Sequence, residues 1–419
     1  MSDSAAQSDV LIVGGGMVGA SLGLALAATP LRVAIVEPVL PGEGPQPSFD
    51  ERCTALANGS RRMLETLGAW PAIATQATAI QSIQVSDAGQ FGSARIEAAP
   101  MGMPALGYTA PNRAIGAALW QALRAHPQVR LIAPARVIDA RLEEGGAQVR
   151  LQTGSGAAAA EQVVGAKLVV AADGDRSLIR ERAGLHAVEV DYEQVAIVAH
   201  VSAERRAAGI AYERFGAAAG PIALLPRPDG HYTVVWTVAR GEVDGVGQQS
   251  DEMFLAALQQ AFGWRVGAFT RAGQRAAYPL LLRRATQLIG TRTVLVGNAA
   301  QSLHPVAGQG FNLGLRDAAT LAELLASAAM AGADPGAAEL LARYQQQRLQ
   351  DRAGMIGFTD SLVRLFALSF PGAATLRSAG LLLFDALPAA KRALSGVSWG
   401  FGAHTPRLLR GLPVGGDSQ

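Results

Sequence analysis

The sequence predicts an α/β fold: a Rossmann-like nucleotide-binding domain assembled from separated stretches of chain, an inserted, mostly antiparallel β-sheet domain for a substrate, and a helical C-terminus. Three observations predict it. GGGMVG at Gly14 to Gly19 follows the apolar run Val10 to Val13 and opens a helix of small residues. A second glycine-rich segment, VGNAAQSLHPVAGQGFNLGLRD, spans Val296 to Asp317. Between the two lie short β-branched runs bounded by Gly, Pro or Asp, the pattern of sheet strands.

The first segment has the strand-turn-helix setting in which G-x-G-x-x-G means a dinucleotide site. Gly14, Gly16 and Gly19 then allow a tight turn, backbone approach to a pyrophosphate, and close packing of helix on strand. A second apolar run, Arg32 to Val36, ends in Glu37, eighteen residues past Gly19, where an acid meets ribose hydroxyls. The alternative for Glu37 is a solvated strand-end acid. Whether the nucleotide is NAD or FAD is open at this point.

Lys167 to Ala172 reads as a buried strand that runs into Asp173-Gly174-Asp175-Arg176-Ser177. Asp173 either binds a ligand or caps the next helix. Thr293 to Val296 is another strand, running into Gly297-Asn298. Gly308-Gln309-Gly310-Phe311-Asn312-Leu313-Gly314 leads directly into a helix from Leu315 to Ala328. Free N–H groups and the positive end of that helix are suited to developing negative charge.

The expected cofactor domain comprises residues 1–79, 110–182 and 278–352, and the expected substrate domain residues 80–109 and 183–277. Val195 to Val201, Ile222 to Leu225 and Tyr232 to Val238 read as strands of the latter, and Asp251 to Phe262 as an amphipathic helix with Phe254, Leu255 and Leu258 on one face. Gly154 to Ala160 is a hairpin or loop. Leu321, Leu324, Leu325 and Ala328 follow helical spacing, which resumes from Ala337 to Phe370. Residues 353–400 are expected to be helical and residues 401–419 a mobile tail.

At 419 residues the chain exceeds the size at which a single core stops growing. Hydrophobic residues make up 49% and charged residues 17%, which implies a large core, an apolar surface patch, or both. A net charge of +2, with Lys only at Lys167 and Lys391, argues against nucleic acid as a partner. The lone Cys53 excludes an intrachain disulfide and CxxC metal sites and fits a reducing compartment. The start, MSDSAAQSD, lacks the features of a signal peptide, and uninterrupted apolar runs of spanning length are missing. The expected location is cytoplasmic, with any membrane contact peripheral, on the inner face.

Together, the early fingerprint, the "DG" segment and the late "G-N-A-A…HP…G-Q-G-x-N-x-G" segment resemble the FAD-dependent aromatic hydroxylases of the p-hydroxybenzoate hydroxylase type. The likeness runs from about Asp9 to about Trp399. Most members carry Asp in the late motif and His shortly after, where this chain has Asn298 and Gln301. The late segment, FDERCTALA at Phe49 to Ala57, AYERF at Ala211 to Phe215 and QQQRLQDR at Gln345 to Arg352 are similar to the ubiquinone-biosynthesis branch of that family.

The resemblance implies a Rossmann-like FAD-binding domain holding FAD non-covalently, with NAD(P)H and O₂ as co-substrates. NAD(P)H reduces the flavin, O₂ adds at its C4a position, and a peroxide oxygen passes to a phenol ring. The phenol it implies is a 2-polyprenyl-6-methoxyphenol on the path to ubiquinone. Glu37 then meets the adenosine ribose, Arg52 the flavin or its pyrophosphate, and Arg113 a further part of FAD, each Arg otherwise being a surface charge. Asp173 and Gly174 serve FAD and the nicotinamide cofactor, accompanied by Arg176 and Ser177. Gly297 and Asn298 meet the ribityl chain; Asn keeps an acceptor while losing the charge. Pro305 walls the flavin ring, and Gly308, Gly310, Phe311 and Asn312 approach its pyrimidine. His304 reads as structural.

Pocket candidates are Tyr212, Arg214, Phe215, Tyr278 and Pro279, with ordinary sheet packing the alternative for each. The residues name neither a catalytic base nor a metal ligand. Leu362, Leu365, Phe366 and Leu368 form either a membrane-facing surface or internal helix packing. Rival readings are a hydroxylase of another polyprenyl or small aromatic substrate, and a non-catalytic flavoprotein scaffold of a ubiquinone-biosynthesis assembly.

Overall fold

A computed structural model of the chain describes residues 7–40, 52–154, 159–216, 220–302, 309–367, 373–387 and 405–415. Strand β1 (Ser8–Val13) carries an apolar run without alternation because it lies inside a parallel sheet, covered on both faces. It pairs in parallel with β2 (Val33–Val36) on one side and β11 (Ala160–Ala171) on the other. β8 (Val129–Ile132) extends the sheet beyond β2, β19 (Thr293–Leu295) beyond β11, and the short β18 (Ile289–Gly290) closes that edge. β9 (Ala135–Glu143) and β10 (Gly146–Thr153) add an antiparallel flap on β11. Helix α1 (Met17–Leu26) makes the crossover from β1 to β2, and α4 (Asn112–Arg124) packs against it.

A three-stranded sheet, β3 (Cys53–Ala57), β7 (Gly107–Pro111) and β4 (Thr78–Ile80), is followed or flanked by α2 (Asn58–Thr66) and α3 (Trp70–Ala74). The nine-stranded second sheet runs β20-β17-β12-β15-β14-β13-β5-β6, with β16 (Phe269–Ala272) beside β12. Its strands are β5 (Ser82–Asp87), β6 (Ser93–Glu97), β12 (Ala187–Ala203), β13 (Ile210–Phe215), β14 (Ile222–Pro226), β15 (Tyr232–Ala239), β17 (Ala276–Ala285) and β20 (Gln301–Ser302). All its pairs are antiparallel except β13 with β5. α6 (Val243–Gly247) leads into α7 (Asp251–Phe262), which Ser250 caps by accepting from the Met253 N–H. Phe254, Leu258 and Phe262 of α7 fill one face of this sheet, against Ile197, Val201, Tyr212, Leu224, Val234 and Trp236.

The C-terminal part carries α8 (Gln309–Met330), α9 (Ala338–Ala367) and α10 (Ala373–Ala386), and the short α5 (Leu178–Arg182) follows β11. Two boundaries differ from expectation. β17 pairs with β12 through Ala285, and Gln301–Ser302 pairs back onto β17, so the second sheet reaches well past Tyr278. Residues 405–415, expected in a mobile tail, pack instead: Leu408 and Leu409 are each 1% exposed in the main core, and the Arg407 N–H donates to Glu323 at 3.0 Å. Burial of two leucines outweighs the glycine and proline that suggested freedom. The side chains of Leu362, Leu365 and Phe366, and all of Leu368, lie outside the described residues, as do His304, Pro305 and Gly308.

Candidate cofactor and substrate site

At the end of β1 the chain must turn within hydrogen-bonding reach of β2 and β11 before α1 begins. Gly14 has φ +103°, and a Cβ there would lie 2.4 Å from the Ala172 carbonyl oxygen. A Cβ on Gly19 would lie 2.0 Å from the Gly14 carbonyl oxygen, which is why helix and strand pack so closely only with glycine there. Gly15, not singled out by the motif, is equally crowded, with a Cβ falling 2.6 Å from the Trp120 ring. Its carbonyl accepts from Trp120 Nε1 at 2.8 Å and its N–H donates to Glu37 Oε2 at 2.7 Å. Glu37 also accepts from the Val39 N–H at 3.1 Å. Burial pushes its carboxyl upward while the two amide hydrogen bonds hold it down. Gly16 is the N-cap of α1 with no side-chain cap, and the first turn holds no acid, so the amides there remain suited to an anion.

Asp173 follows β11. Its Oδ2 accepts from the Ile179 N–H at 3.3 Å, and Ser177 caps α5 through the Arg180 N–H. Helix capping is therefore part of what Asp173 does, but Oδ1 is buried with no partner among the described residues. Burial raises its carboxyl above the usual range, with hydrogen bonds opposing. A buried acceptor without a donor is the kind of group a ligand hydroxyl satisfies. Gly174, at φ +87°, takes the turn after it.

The late segment reaches the same place. Gly297, at φ +58°, and Gly314 both lie against Val18 of α1, and a Cβ on either would fall 3.1 Å and 2.7 Å from Val18 Cγ2. Asp317, fully buried, holds this crossing: Oδ2 accepts from the Gly297 N–H at 2.9 Å and Gln301 Nε2 at 2.7 Å, and Oδ1 accepts from Arg348 Nε at 2.7 Å. Asn298 is exposed and makes no hydrogen bond among the described residues. Gly310 is open, with nothing within 4 Å of a Cβ position.

The Asn312 side chain has another task. Its Oδ1 accepts from the Ala57 N–H at 2.9 Å and Ser60 Oγ at 2.7 Å, and its Nδ2 donates to the Ala55 carbonyl at 2.8 Å. The side chain thus clamps β3 onto the start of α8, beside the backbone N–H groups expected to approach a cofactor. Arg52, just before β3, lies with its guanidinium 4.4 Å from the Tyr278 ring centroid. Arg113 is exposed in the first turn of α4 and donates to Gln76 at 2.9 Å.

Among the pocket candidates, strand alternation separates the residues. Tyr212 packs edge-on to Phe262 with centroids 5.8 Å apart, and Arg214 Nε donates to the Ala261 carbonyl at 3.1 Å. Both side chains belong to the α7 side of the sheet, which is the sheet-packing alternative for them rather than the pocket one. Two-residue alternation puts Ala211, Glu213 and Phe215 on the opposite face, toward β3. Tyr278 pairs with Ala196, whereas Pro279 next to it points the other way and is exposed. A missed cluster joins β3 to the sheet: Arg227 lies within 3.5 Å of Cys53 and 3.2 Å of His200, and Thr233 within 3.4 Å of Cys53. Cys53 and His200 are far apart in sequence, and only the fold signals their meeting.

The uncapped helix start, the glycine cradle and the unpartnered Asp173 oxygen fit a dinucleotide at the carboxyl ends of β1 and β11. The profile of the family described as FAD binding domain matches residues 7–359. The chain belongs to that family. It is 39% identical to a ubiquinone hydroxylase, UbiL, of Rhodospirillum rubrum, the match covering 97% of this chain and 94% of the relative. It is 31% identical to the 3-demethoxyubiquinol 3-hydroxylase of Escherichia coli, covering 92% and 96%. Among solved structures, p-nitrophenol 4-monooxygenase PnpA from Pseudomonas putida superposes with a TM-score of 0.77 at 19% identity, over 96% of this chain and 100% of that one. The fold is that of FAD-dependent aromatic hydroxylases, and the chain is an FAD-dependent monooxygenase of that family.

Proposed function

We propose that the protein hydroxylates the aromatic ring of a 2-polyprenyl-6-methoxyphenol in ubiquinone biosynthesis, consuming NAD(P)H and O₂. The observation that carries this reading is near full-length similarity to relatives named as ubiquinone hydroxylases, 39% and 31% identical. Bound FAD would supply the reducing equivalents and the activation of O₂.

The protein's own residues would bind and orient. The amides of Gly16 and Met17 at the N-terminus of α1 suit the pyrophosphate; Glu37 and Asp173 suit ribose and ribityl hydroxyls; Asn298 offers an acceptor for the ribityl chain. Asp317 and Asn312 fix the strands and helix start around them. Arg52, stacked on Tyr278, sits where β3 meets the second sheet and suits the flavin edge.

The substrate would lie against the β3-facing side of the second sheet. Arg214, a pocket candidate in the sequence, is turned to the far side, while Arg52 and Arg227 stand where β3 meets the sheet. Leu376, Leu383 and Leu387 of α10 and the adjoining chain are 68%, 62% and 45% exposed, and Phe91 is 79% exposed. The Gly92 N–H donates to Ser378 of α10 at 2.8 Å, which places Phe91 beside this stripe. Such a surface suits peripheral contact with the bilayer that stores a polyprenyl tail. No described helix is long and apolar enough to cross a membrane.

The test is NAD(P)H oxidation by the FAD-loaded protein. A prenylated methoxyphenol is expected to accelerate it, with affinity rising as the tail lengthens, each buried CH₂ adding roughly 0.8 kcal/mol. Stimulation by p-hydroxybenzoate together with silence toward the prenylated phenol would overturn the substrate assignment. No stimulation by any phenol would favour the scaffold.

A further inference from the structure

β13 carries a carboxylic acid on the face turned away from α7. Tyr212 and Arg214 pack toward α7, so Glu213 points to the opposite side, between Ala211 and Phe215. The strand register lays Glu213 in one row across that face, beside Val85 on β5 and Ala223 on β14. The row continues through Val235 on β15 and Val198 on β12 to Ala276 on β17. It is a floor of small apolar side chains with one carboxylic acid in it.

That floor faces the cofactor domain. Ala55 of β3 and Leu225 of β14 both pack against the apolar cluster that contains Ala211, the neighbour of Glu213 on the same face. The Ala55 carbonyl is in turn held by Asn312 at the start of α8. Glu213 is half-buried, and its carboxyl makes no hydrogen bond or ion pair among the described residues. The charged groups nearest on the flanking elements are engaged elsewhere. Asp87, on the same face of β5, pairs through Oδ2 with Arg377 of α10 at 2.9 Å, its Oδ1 having no partner among the described residues. Asp385 of α10 accepts from the Arg95 N–H at 2.7 Å. Burial alone pushes the Glu213 carboxyl up to about 8. A buried acid kept without a partner costs stability, and such groups concentrate where chemistry needs them.

We propose that Glu213 accepts the phenol proton of the substrate. The phenolic O–H bond breaks, its proton passes to a Glu213 carboxylate oxygen, and its electron pair stays on the phenolic oxygen to enrich the ring for attack on the incoming oxygen atom. The carboxyl group then releases the proton to solvent. An ordinary Glu, near 4.3, would leave a gap of about six pH units to a phenol near 10; the buried Glu213 narrows it to about two. The other side chains of the row are hydrocarbon, and His200 and Tyr278 further along the same face are held by Arg227 and Arg52.

The proposal rests on the phenol-hydroxylase reading above, and its test separates the two. The probes are 2-prenyl-6-methoxyphenol and its methyl ether, with FAD-loaded wild type and Glu213→Gln. Wild-type affinity for the phenol is expected to rise about tenfold as pH increases through 8, because a carboxylate is the stronger acceptor. The ether, which has no proton to give, should show no step. In E213Q the step should vanish and hydroxylated product should fall about a hundredfold or more, with FAD still bound. The wild-type comparison needs no variant: no step, or an equal step with the ether, overturns the proposal. Wild-type product rates in FAD-loaded E213Q overturn it while leaving the hydroxylase reading intact. Absence of ring-hydroxylated product from wild type overturns both.

Discussion

Gly314 and Val18 touch where the late glycine segment crosses the helix opened by the early one. A Cβ on Gly314 would stand 2.7 Å from Val18 Cγ2 and 3.2 Å from Gly297 Cα. The two motifs are therefore one piece of packing, and the spacing of glycines in the second is set by a valine in the first.

Gly314→Ala should cost about 1 to 3 kcal/mol despite the better helix propensity of Ala, because a packed side chain must move. Val18→Ala should restore most of that loss. A double-mutant cycle by thermal unfolding measures the coupling; equal penalties in both backgrounds would show that the contact is not what requires glycine.

Asp317 binds Gly297, Gln301 and Arg348 at once. Asp317→Ala should destabilise the protein by about 3 kcal/mol or more, since it strips a buried guanidinium of a partner. Asp317→Asn, still an acceptor, should cost less. Chemical denaturation ranks the two, and a neutral Ala variant would contradict the hub.

Asn298 stands exposed at the turn after β19. If it accepts from the ribityl chain, Asn298→Asp should keep FAD and Asn298→Leu should weaken it by about 1 to 3 kcal/mol. Flavin titration of the three proteins decides; equal affinities would remove Asn298 from the site.

Glu213 also predicts a pH dependence of stability. Its folded-state value of about 8 lies above the ordinary 4.5, so the neutral acid is tolerated below 4.5 and stability is lost progressively as pH rises from there through 8. Relative to wild type, Glu213→Gln should gain stability over that window, on the order of a few kcal/mol by its upper end. Parallel unfolding curves at pH 5 and pH 8.5 measure it, and a constant difference between the proteins would contradict the buried, unpartnered acid.

The glycine motifs and the strands leading into them were legible because their requirement is local: a positive φ at Gly14 and a helix start at Met17 follow from neighbouring residues. The faces of β13 were not. AYERF alternates, but only the position of α7 tells which half of the alternation is buried beneath it, so the pattern alone leaves Tyr212 and Arg214 between pocket and sheet packing and does not mark Glu213. Gly15 carries no local signal because its neighbour Trp120 lies more than a hundred residues away. The fate of Leu408 and Leu409 likewise depends on a groove formed by α2 and α8, which no local pattern announces.

The most direct test of the account is the origin of the oxygen atom in the product. FAD-loaded protein, NAD(P)H and a prenylated methoxyphenol under ¹⁸O₂ should give a ring-hydroxylated product that carries one heavy oxygen by mass spectrometry. Product lacking the label, or NAD(P)H consumed with the phenol recovered unchanged under all conditions, would contradict it.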